Sequence, residues 1–198
     1  MWNKNTIEWI DIELTSFCNI KCPGCLRQEM YDKVGPLLNK SYIKFKDLKK
    51  WIPKGYLPIL KIINFCGSVD EPTTHPEFID IVDYFSGFAN INVATNGSTR
   101  TVKFWEELGG RKISVFFGID GIDQESLEKY RVGSSFKKVQ ENWRAFIKAG
   151  GNATWQFIIF DHNEHLIEHA ENMSKVEGFK RFRKIYSHRI GSGEMKIK

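Results

Sequence analysis

Segments typical of β-strands alternate with segments typical of α-helices six times along the chain, with short connections between them. The strand segments are short apolar runs, and the helical segments repeat apolar residues every three or four positions. Strands and helices in this order are joined by right-handed crossovers, and the strands lie parallel in one sheet. The sequence therefore predicts an α/β fold. The predicted strands are 8–14, 60–66, 91–95, 112–119, 153–160 and 179–186, and the predicted helices are 44–52, 76–85, 101–108, 135–149 and 163–175.

The size and composition of the chain predict a single globular domain that spans residues 1–198. At 198 residues, 41% hydrophobic and 14% aromatic, the chain can bury a substantial core, which excludes a disordered protein. Its net charge of +5 permits an anionic partner, so nucleic acid is not excluded. No apolar run approaches the roughly 20 residues of a membrane span, and the N-terminus lacks the pattern of a signal peptide. We expect a cytoplasmic protein without a membrane partner, in a compartment where thiols stay reduced.

Unusual polar motifs follow the first four predicted strands. In parallel α/β folds, ligands bind at the carboxyl ends of the strands, on the loops that lead into the helices. The first such loop, 15–30, contains SFCNIKCPGCLRQ, and the next three contain CGSVDEPTTHP, TNGS and GIDG. Because all four loops belong to the same edge of the sheet, we expect them to form one site.

Cys18, Cys22 and Cys25 fall within eight residues of the first loop. A structural zinc ion needs four protein ligands, so Cys66 or His75 would have to supply the fourth. A redox-active pair made of Cys22 and Cys25 would leave Cys18 unexplained. A [4Fe–4S] cluster held by three thiolates would leave one iron open to a small-molecule ligand. The residues alone support the open cluster and the zinc site about equally.

The cysteine spacing and the motifs that follow it resemble one known family. Cys18-x3-Cys22-x2-Cys25 comes after a first strand, followed in order by FCGSVDEPTTHPEF, ATNGS, GIDGIDQESLEKYRVGSSF and WQFIIFDHNEH. This series is similar to the radical S-adenosylmethionine (radical SAM) superfamily, and most similar to its molybdenum-cofactor and peptide-modifying (SPASM-type) branch. The resemblance covers nearly the whole chain. It implies a partial (βα)6 barrel of parallel strands, formed as a single domain.

The resemblance also implies a chemistry. Cys18, Cys22 and Cys25 would hold a [4Fe–4S] cluster whose open iron chelates the amino and carboxylate groups of SAM. One electron, from a donor such as flavodoxin or ferredoxin, would cleave SAM into methionine and a 5′-deoxyadenosyl radical that abstracts hydrogen from a substrate. That substrate is unidentified, and it would be a peptide, a nucleotide or a small molecule.

Further residues match positions that contact SAM in the family. Glu71 would accept a charge-assisted hydrogen bond from the SAM ammonium, and Arg131 would pair with the SAM carboxylate. Gly67 would allow close approach of the methionyl part, and the backbone of Gly24 would bond the edge of the base. A buried Gln156 on the fifth strand would need polar partners, which favours a ligand contact. The predicted SAM-binding residues are Gly24, Gly67, Asp70, Glu71, Thr95, Asn96, Gly118, Asp120, Arg131 and Gln156.

The chain departs from the family pattern in several places. Val69–Asp70 stands where the family has two glycines. Gly118 stands where family members often have a serine, so it would contact SAM through its backbone alone. No cysteine follows Cys66, so we expect one cluster and no auxiliary cluster. These departures keep a second function open, a non-catalytic iron–sulfur or zinc-binding module on the same fold. Segment 26–43 would be the lid if the substrate is a small molecule.

Overall fold

The computed structural model describes residues 3–28 and 41–186, so most of the predicted lid segment, 26–43, lies outside the described residues. Within them, six strands form one sheet in which every neighbouring pair is parallel. The strands follow one another in chain order across the sheet, as in an open, partial barrel, which confirms the predicted α/β fold. The strands are β1 (Trp9–Ile12), β2 (Ile62–Phe65), β3 (Asn90–Thr95), β4 (Ser114–Gly118), β5 (Asn152–Ile159) and β6 (Arg181–Tyr186).

Each crossover between neighbouring strands passes through at least one helix, as predicted. The bounds differ by a few residues: Pro76 was predicted to open the second helix, but that helix begins at Phe78. None of the helices among the described residues has the length and apolar character needed to cross a membrane. The helices are α1 (Phe45–Trp51), α2 (Phe78–Ser86), α3 (Val102–Gly109), α4 (Gln124–Glu128), α5 (Phe136–Lys148) and α6 (Ile167–Val176).

Helix α4 was not predicted. It begins after Asp123, whose side chain accepts a hydrogen bond from the backbone N–H of Ser126 at 2.8 Å. The Ser126 hydroxyl in turn accepts from the backbone N–H of Asp123 at 3.2 Å, which completes a capping box. A helix of five residues is too short to show an apolar period, so this local capping pattern was the available signal.

The main hydrophobic core lies between the sheet and its helices. Phe117 on β4 contacts Trp105 on α3, and Trp155 on β5 contacts Trp143 on α5, with ring centroids 5.2 and 5.3 Å apart. All four rings are fully buried. Successive residues of a strand face opposite sides of the sheet, so the burial of Trp155 towards the helices turns Gln156 to the concave side.

The concave face of the sheet carries a row of polar side chains that crosses β1 to β5 in register. Asn64 Nδ2 donates to Asp11 Oδ1 at 2.7 Å, and Asn92 Nδ2 donates to Asn64 Oδ1 at 2.9 Å. On the next two strands, Asn152 Nδ2 donates to Ser114 Oγ at 2.8 Å. The row forms a hydrogen-bonded floor below the carboxyl ends of the strands, where the loops with the unusual motifs begin.

Candidate active site

A cavity lies at the carboxyl ends of the strands, and the loops after β1, β2, β3 and β4 all contribute to its wall. This is the edge at which the four motifs were expected to meet. The predicted site residues that line the cavity are Cys18, Cys22, Cys25, Gly67, Asp70, Glu71, Thr95, Asn96, Gly118, Arg131 and Gln156.

Two predicted SAM-binding residues do not line this cavity. Gly24 lies in the turn between Cys22 and Cys25, where the Cys25 N–H donates to the Cys22 carbonyl at 3.2 Å, and Gly24 has a φ of +67°. A left-handed φ of this kind favours glycine, so the turn itself requires it. Asp120 is fully buried behind Arg131, and its carboxylate binds the guanidinium instead of facing the cavity.

The three clustered cysteines are free thiols on the wall of the cavity. Cys22 is buried, and Cys18 and Cys25 are half-buried. Burial raises the pKa of Cys18 to about 11 and also raises the pKa of Cys22. Deprotonating these thiols therefore costs free energy that a nearby cation or a bound metal would offset.

The described residues contain no group of three or more His, Cys, Asp or Glu side chains arranged to hold one metal ion. An iron–sulfur cluster makes a different demand, because its cysteine thiolates bind separate irons. His75 has both ring nitrogens in hydrogen-bonded contacts, Nε2 with the Ile43 carbonyl at 2.8 Å and Nδ1 with the Glu77 N–H at 3.1 Å. Because both ring nitrogens are occupied by backbone groups, His75 has a structural role here and neither nitrogen is available to bind a metal ion.

Asn96, at the end of β3, connects that strand to the cysteine loop. Its side-chain Nδ2 donates to Asn19 Oδ1 at 3.0 Å and to Cys18 Sγ at 3.8 Å. The Asn96 Oδ1 accepts from the backbone N–H of Ser98 at 2.8 Å, which fixes the orientation of the amide. Asn96 is thus a donor to the sulfur of Cys18.

The Glu71 carboxylate is buried and already accepts four hydrogen bonds. Oε1 accepts from the Thr73 N–H at 3.3 Å, the Thr73 hydroxyl at 2.6 Å and the Thr95 hydroxyl at 2.6 Å. Oε2 accepts from the Asn96 N–H at 2.7 Å. Burial raises the pKa of Glu71, and these hydrogen bonds oppose the rise. Glu71 therefore braces the β2 loop against the end of β3, and its expected contact with the SAM ammonium stays a prediction.

The neighbouring acid, Asp70, is in a different environment. Its Oδ2 accepts from the Thr15 N–H at 3.1 Å, whereas its Oδ1 is buried and has no hydrogen-bond partner among the described residues. Burial, followed by the negative charge of the neighbouring Glu13, raises the pKa of Asp70 to about 9. Asp70 is thus a buried acid whose Oδ1 accepts a hydrogen bond from none of the described residues.

The sequence reasoning missed Glu13. Its Oε1 accepts from Cys66 Sγ at 3.1 Å and from the Ser68 N–H at 3.0 Å, and its Oε2 accepts from the Val69 N–H at 3.3 Å. Burial and the hydrogen bond to Glu13 raise the pKa of Cys66 to about 12. The available signal was strand alternation, because Glu13 lies two residues after Asp11, a concave-face residue of β1.

Arg131 is held in the cavity wall by a short ion pair. Its Nε lies 2.6 Å from Asp120 Oδ2, and the Arg131 side chain is 16% exposed. Burial lowers the pKa of Arg131, but the charges of Asp120 and Cys22 outweigh that effect and raise it. Asp120 Oδ1 also accepts from the Ile158 N–H at 2.6 Å, so the carboxylate is fixed from two sides.

Gln156 faces the cavity from β5, next to Gly118 on β4. Its Oε1 accepts from Arg183 Nη1 at 3.2 Å, and its amide N–H groups donate to no side chain of residues 3–28 and 41–186. The placement agrees with the alternation expected for the strand, and the contact with SAM stays a prediction.

Comparisons with known proteins agree on one family. The family model for the Radical SAM superfamily matches residues 12–175. The tungsten-containing aldehyde ferredoxin oxidoreductase cofactor-modifying protein of Pyrococcus furiosus is 32% identical over 117 residues, which are 58% of this chain and 31% of that protein. The GTP 3′,8-cyclase of Microcystis aeruginosa is 25% identical over 147 residues, which are 70% of this chain and 42% of that protein. The chain therefore spans less than half the length of these relatives.

Solved structures share the fold. Native anSMEcpe with bound AdoMet, which is SAM, superposes with a TM-score of 0.65 at 19% identity, and the match covers 94% of this chain and 54% of that one. Streptococcus suis SuiB bound to S-adenosylmethionine superposes with a TM-score of 0.75 at 15% identity. That match covers 96% of this chain and 43% of SuiB. At these identities the likeness concerns the fold alone. Because the family model matches most of the sequence, the chain belongs to the radical SAM superfamily.

Proposed function

We propose that this chain is the core of a radical SAM enzyme with one [4Fe–4S] cluster held by Cys18, Cys22 and Cys25. One observation carries the proposal: the three thiols share a cavity with an acidic acceptor, Asp70, and a guanidinium, Arg131. A cluster bound to three thiolates and a SAM molecule would need groups of these kinds within reach of each other.

The cavity residues fit the two charged groups at the methionyl end of SAM. Asp70 Oδ1 is a buried acceptor without a donor among the described residues, and the ammonium of SAM would supply one. Glu13, beside Asp70, adds negative charge that favours a cation at this point. Arg131 has its Nε occupied by Asp120, so its Nη atoms are the groups that would pair with the SAM carboxylate.

Gly67 gives the β2 loop its close packing against the next strand. A Cβ at this position would lie 3.2 Å from the Ala94 carbonyl and 3.3 Å from the Asp70 carbonyl, and the φ of Gly67 is +59°. Only glycine adopts this conformation readily in so narrow a space. The loop can thus carry Asp70 and Glu71 close to the end of β3.

When bound, the cluster would supply the electron that cleaves SAM into methionine and a 5′-deoxyadenosyl radical able to abstract hydrogen from a substrate. The chain's own residues would hold the cluster and orient SAM. Asn96 donates to Cys18, Asp70 would receive the ammonium, and Arg131 would receive the carboxylate. Gln156 would present its free amide N–H groups to SAM or to the substrate from β5.

The substrate class is a nucleotide, a peptide or a small molecule. One relative is named as a GTP cyclase, and SuiB has been solved bound to the precursor peptide SuiA. A flavodoxin or ferredoxin would supply the electron. The substrate classes and the electron donor both follow from the resemblance to the family.

The test is anaerobic reconstitution with iron and sulfide. We expect a brown protein whose reduced cluster gives an electron paramagnetic resonance signal and which converts SAM to 5′-deoxyadenosine when dithionite is the reductant. The Cys18→Ala variant is the matched control and should form neither cluster nor product. A colourless protein that retains zinc, or a cluster-loaded protein that leaves SAM intact, would support the non-catalytic module instead.

A further inference from the structure

The guanidinium of Arg131 occupies the space that a side chain at Gly118 would need. A Cβ built on Gly118 would lie 2.5 Å from Arg131 Nη2 and 3.0 Å from Cζ. Both distances are well inside normal carbon contacts, so any other residue at position 118 would push the guanidinium away. The φ of Gly118 is not positive, so the absence of a side chain at this position provides space for the Arg131 guanidinium and is not needed for a turn.

Asp120 fixes the direction of the same guanidinium. Its Oδ2 binds Arg131 Nε at 2.6 Å, and its Oδ1 accepts from the Ile158 N–H at 2.6 Å. The Asp120 carbonyl accepts from Asn163 Nδ2 at 3.0 Å. Because β5 and the loop after it hold Asp120 in place, the Arg131 guanidinium has one well-defined position. In that position Nε contacts the Asp120 carboxylate and the Nη atoms lie next to Gly118.

The Arg131 segment is joined to the cysteine loop. The Lys21 N–H donates to the Val132 carbonyl at 2.9 Å. Tyr130 packs in one cluster with Cys22, and the Arg131 Cζ lies 5.2 Å from the centre of the Tyr130 ring. Arg131 and Cys22 line the same cavity. Burial raises the pKa of the Cys22 thiol, and the nearby positive charge of Arg131 opposes that rise. The guanidinium and the Cys22 thiol therefore face one cavity.

We propose that Arg131 is a positioning residue that stabilises negative charge on the cluster through Cys22, and that Gly118 and Asp120 keep its guanidinium in place. The inference rests on the proposed function, since it requires Cys22 to be a cluster ligand. A reduced cluster carries one more negative charge than an oxidised one. Positive charge and hydrogen bonds at the ligand sulfurs favour the reduced form, so Arg131 makes the cluster easier to reduce.

The experiment measures the ratio of reduced to oxidised cluster at a fixed solution potential, by electron paramagnetic resonance and without SAM. Arg131→Gln should lower this ratio on the order of tenfold, the effect expected for one charge-assisted hydrogen bond. Arg131→Lys keeps the charge and should lower it less. Gly118→Ala leaves Arg131 and Asp120 in the sequence but displaces the guanidinium, so it should lower the ratio in the same direction.

Arg183→Gln is the matched control, because Arg183 is a second arginine near the cavity, bonded to Gln156. It should leave the ratio unchanged. All ratios are compared at equal iron per protein; if Arg131→Gln does not retain iron, Gly118→Ala decides the result. An unchanged ratio in the variants that retain iron overturns the role of Arg131 but leaves the proposed cluster intact. A wild-type protein that assembles no cluster rejects the proposed function instead.

Discussion

Asp70 and Glu71 are adjacent acids with opposite surroundings, and that difference separates their roles. Both Glu71 oxygens accept hydrogen bonds, Oε1 from Thr73 and Thr95 and Oε2 from Asn96. One Asp70 oxygen has no partner among the described residues, and Glu13 lies next to it. At the scale of single residues, Glu71 thus joins the β2 loop to the end of β3, and Asp70, the preceding residue, is the acid that can receive a cation.

The raised pKa of Asp70 makes a prediction about pH. Burial and the negative charge of Glu13 raise the pKa of Asp70 to about 9, so over much of the pH range below that value the folded state holds a proton that the unfolded chain releases. The free energy of unfolding should therefore fall as pH rises through this window, by up to about 1.4 kcal/mol per pH unit from this group. Asp70→Asn should flatten the profile measured by urea unfolding of SAM-free protein. Asp11→Asn, an acid on the exposed concave floor, is the control, and parallel profiles for Asp70→Asn and wild type would contradict the prediction.

The four cysteines should separate into two classes by iron content. Cys18→Ala, Cys22→Ala and Cys25→Ala should each abolish cluster binding, because each removes one of three thiolate ligands. Cys66→Ala should keep iron near the wild-type level, because the Cys66 thiol lies outside the cysteine loop, directly after β2, and donates to Glu13. Iron and sulfide per protein after reconstitution measure the outcome. An equal loss of iron in Cys66→Ala would mean that the site has four thiolate ligands.

At the scale of elements, sequence periodicity predicted the strands, which depend on local pattern. It missed contacts between side chains that are far apart in the sequence. The apolar alternation predicted all six strands, but α4 is too short for a period. The sequence placed Gly118 and Arg131 in one site without showing that they share one volume, because their contact depends on how the loop after β4 folds back. Glu13 was missed because its partners, Cys66 and Val69, come from a loop more than 50 residues away.

The contact between the β2 loop and β3 depends on Glu71, and Glu71→Gln should weaken it. A glutamine amide group would point its own N–H at either the Asn96 N–H or the Thr73 N–H, which leaves a buried donor unpaired. The cost should be about 1–3 kcal/mol in the free energy of unfolding. Urea unfolding measures it, with Glu77→Gln as the control, since Glu77 makes one exposed hydrogen bond to the Phe45 N–H. Equal stability of Glu71→Gln and wild type would show that the hydrogen bonds of Glu71 contribute nothing to the free energy of unfolding.

At the scale of the whole molecule, the order of the strands is what creates the site. Because β1 to β6 are parallel and follow chain order, every βα loop emerges at the same edge. The cavity takes residues from the loops after β1, β2, β3 and β4, so no single loop contains the site. This convergence follows from topology and could be predicted from the sequence. The distances within it could not, since they depend on side chains that meet across separate loops.

A ligand that touches all these loops should stabilise the whole fold. We expect SAM to raise the unfolding temperature of cluster-loaded protein and to leave the cluster-free protein unchanged, because the open iron would anchor the methionyl group. Ligand linkage gives about 2.7 kcal/mol at a hundredfold excess over the dissociation constant, which corresponds to a rise of about 5–11 °C in the unfolding temperature for a domain of this size. The measurement is an anaerobic melting curve of both forms, each with and without SAM. S-adenosylhomocysteine keeps the ammonium and the carboxylate but lacks the sulfonium, so a similar shift with it would assign the effect to Asp70, Arg131 and the cluster together. An intact cluster without any shift from SAM would mean that these loops do not bind SAM, and the non-catalytic module would then replace the enzyme.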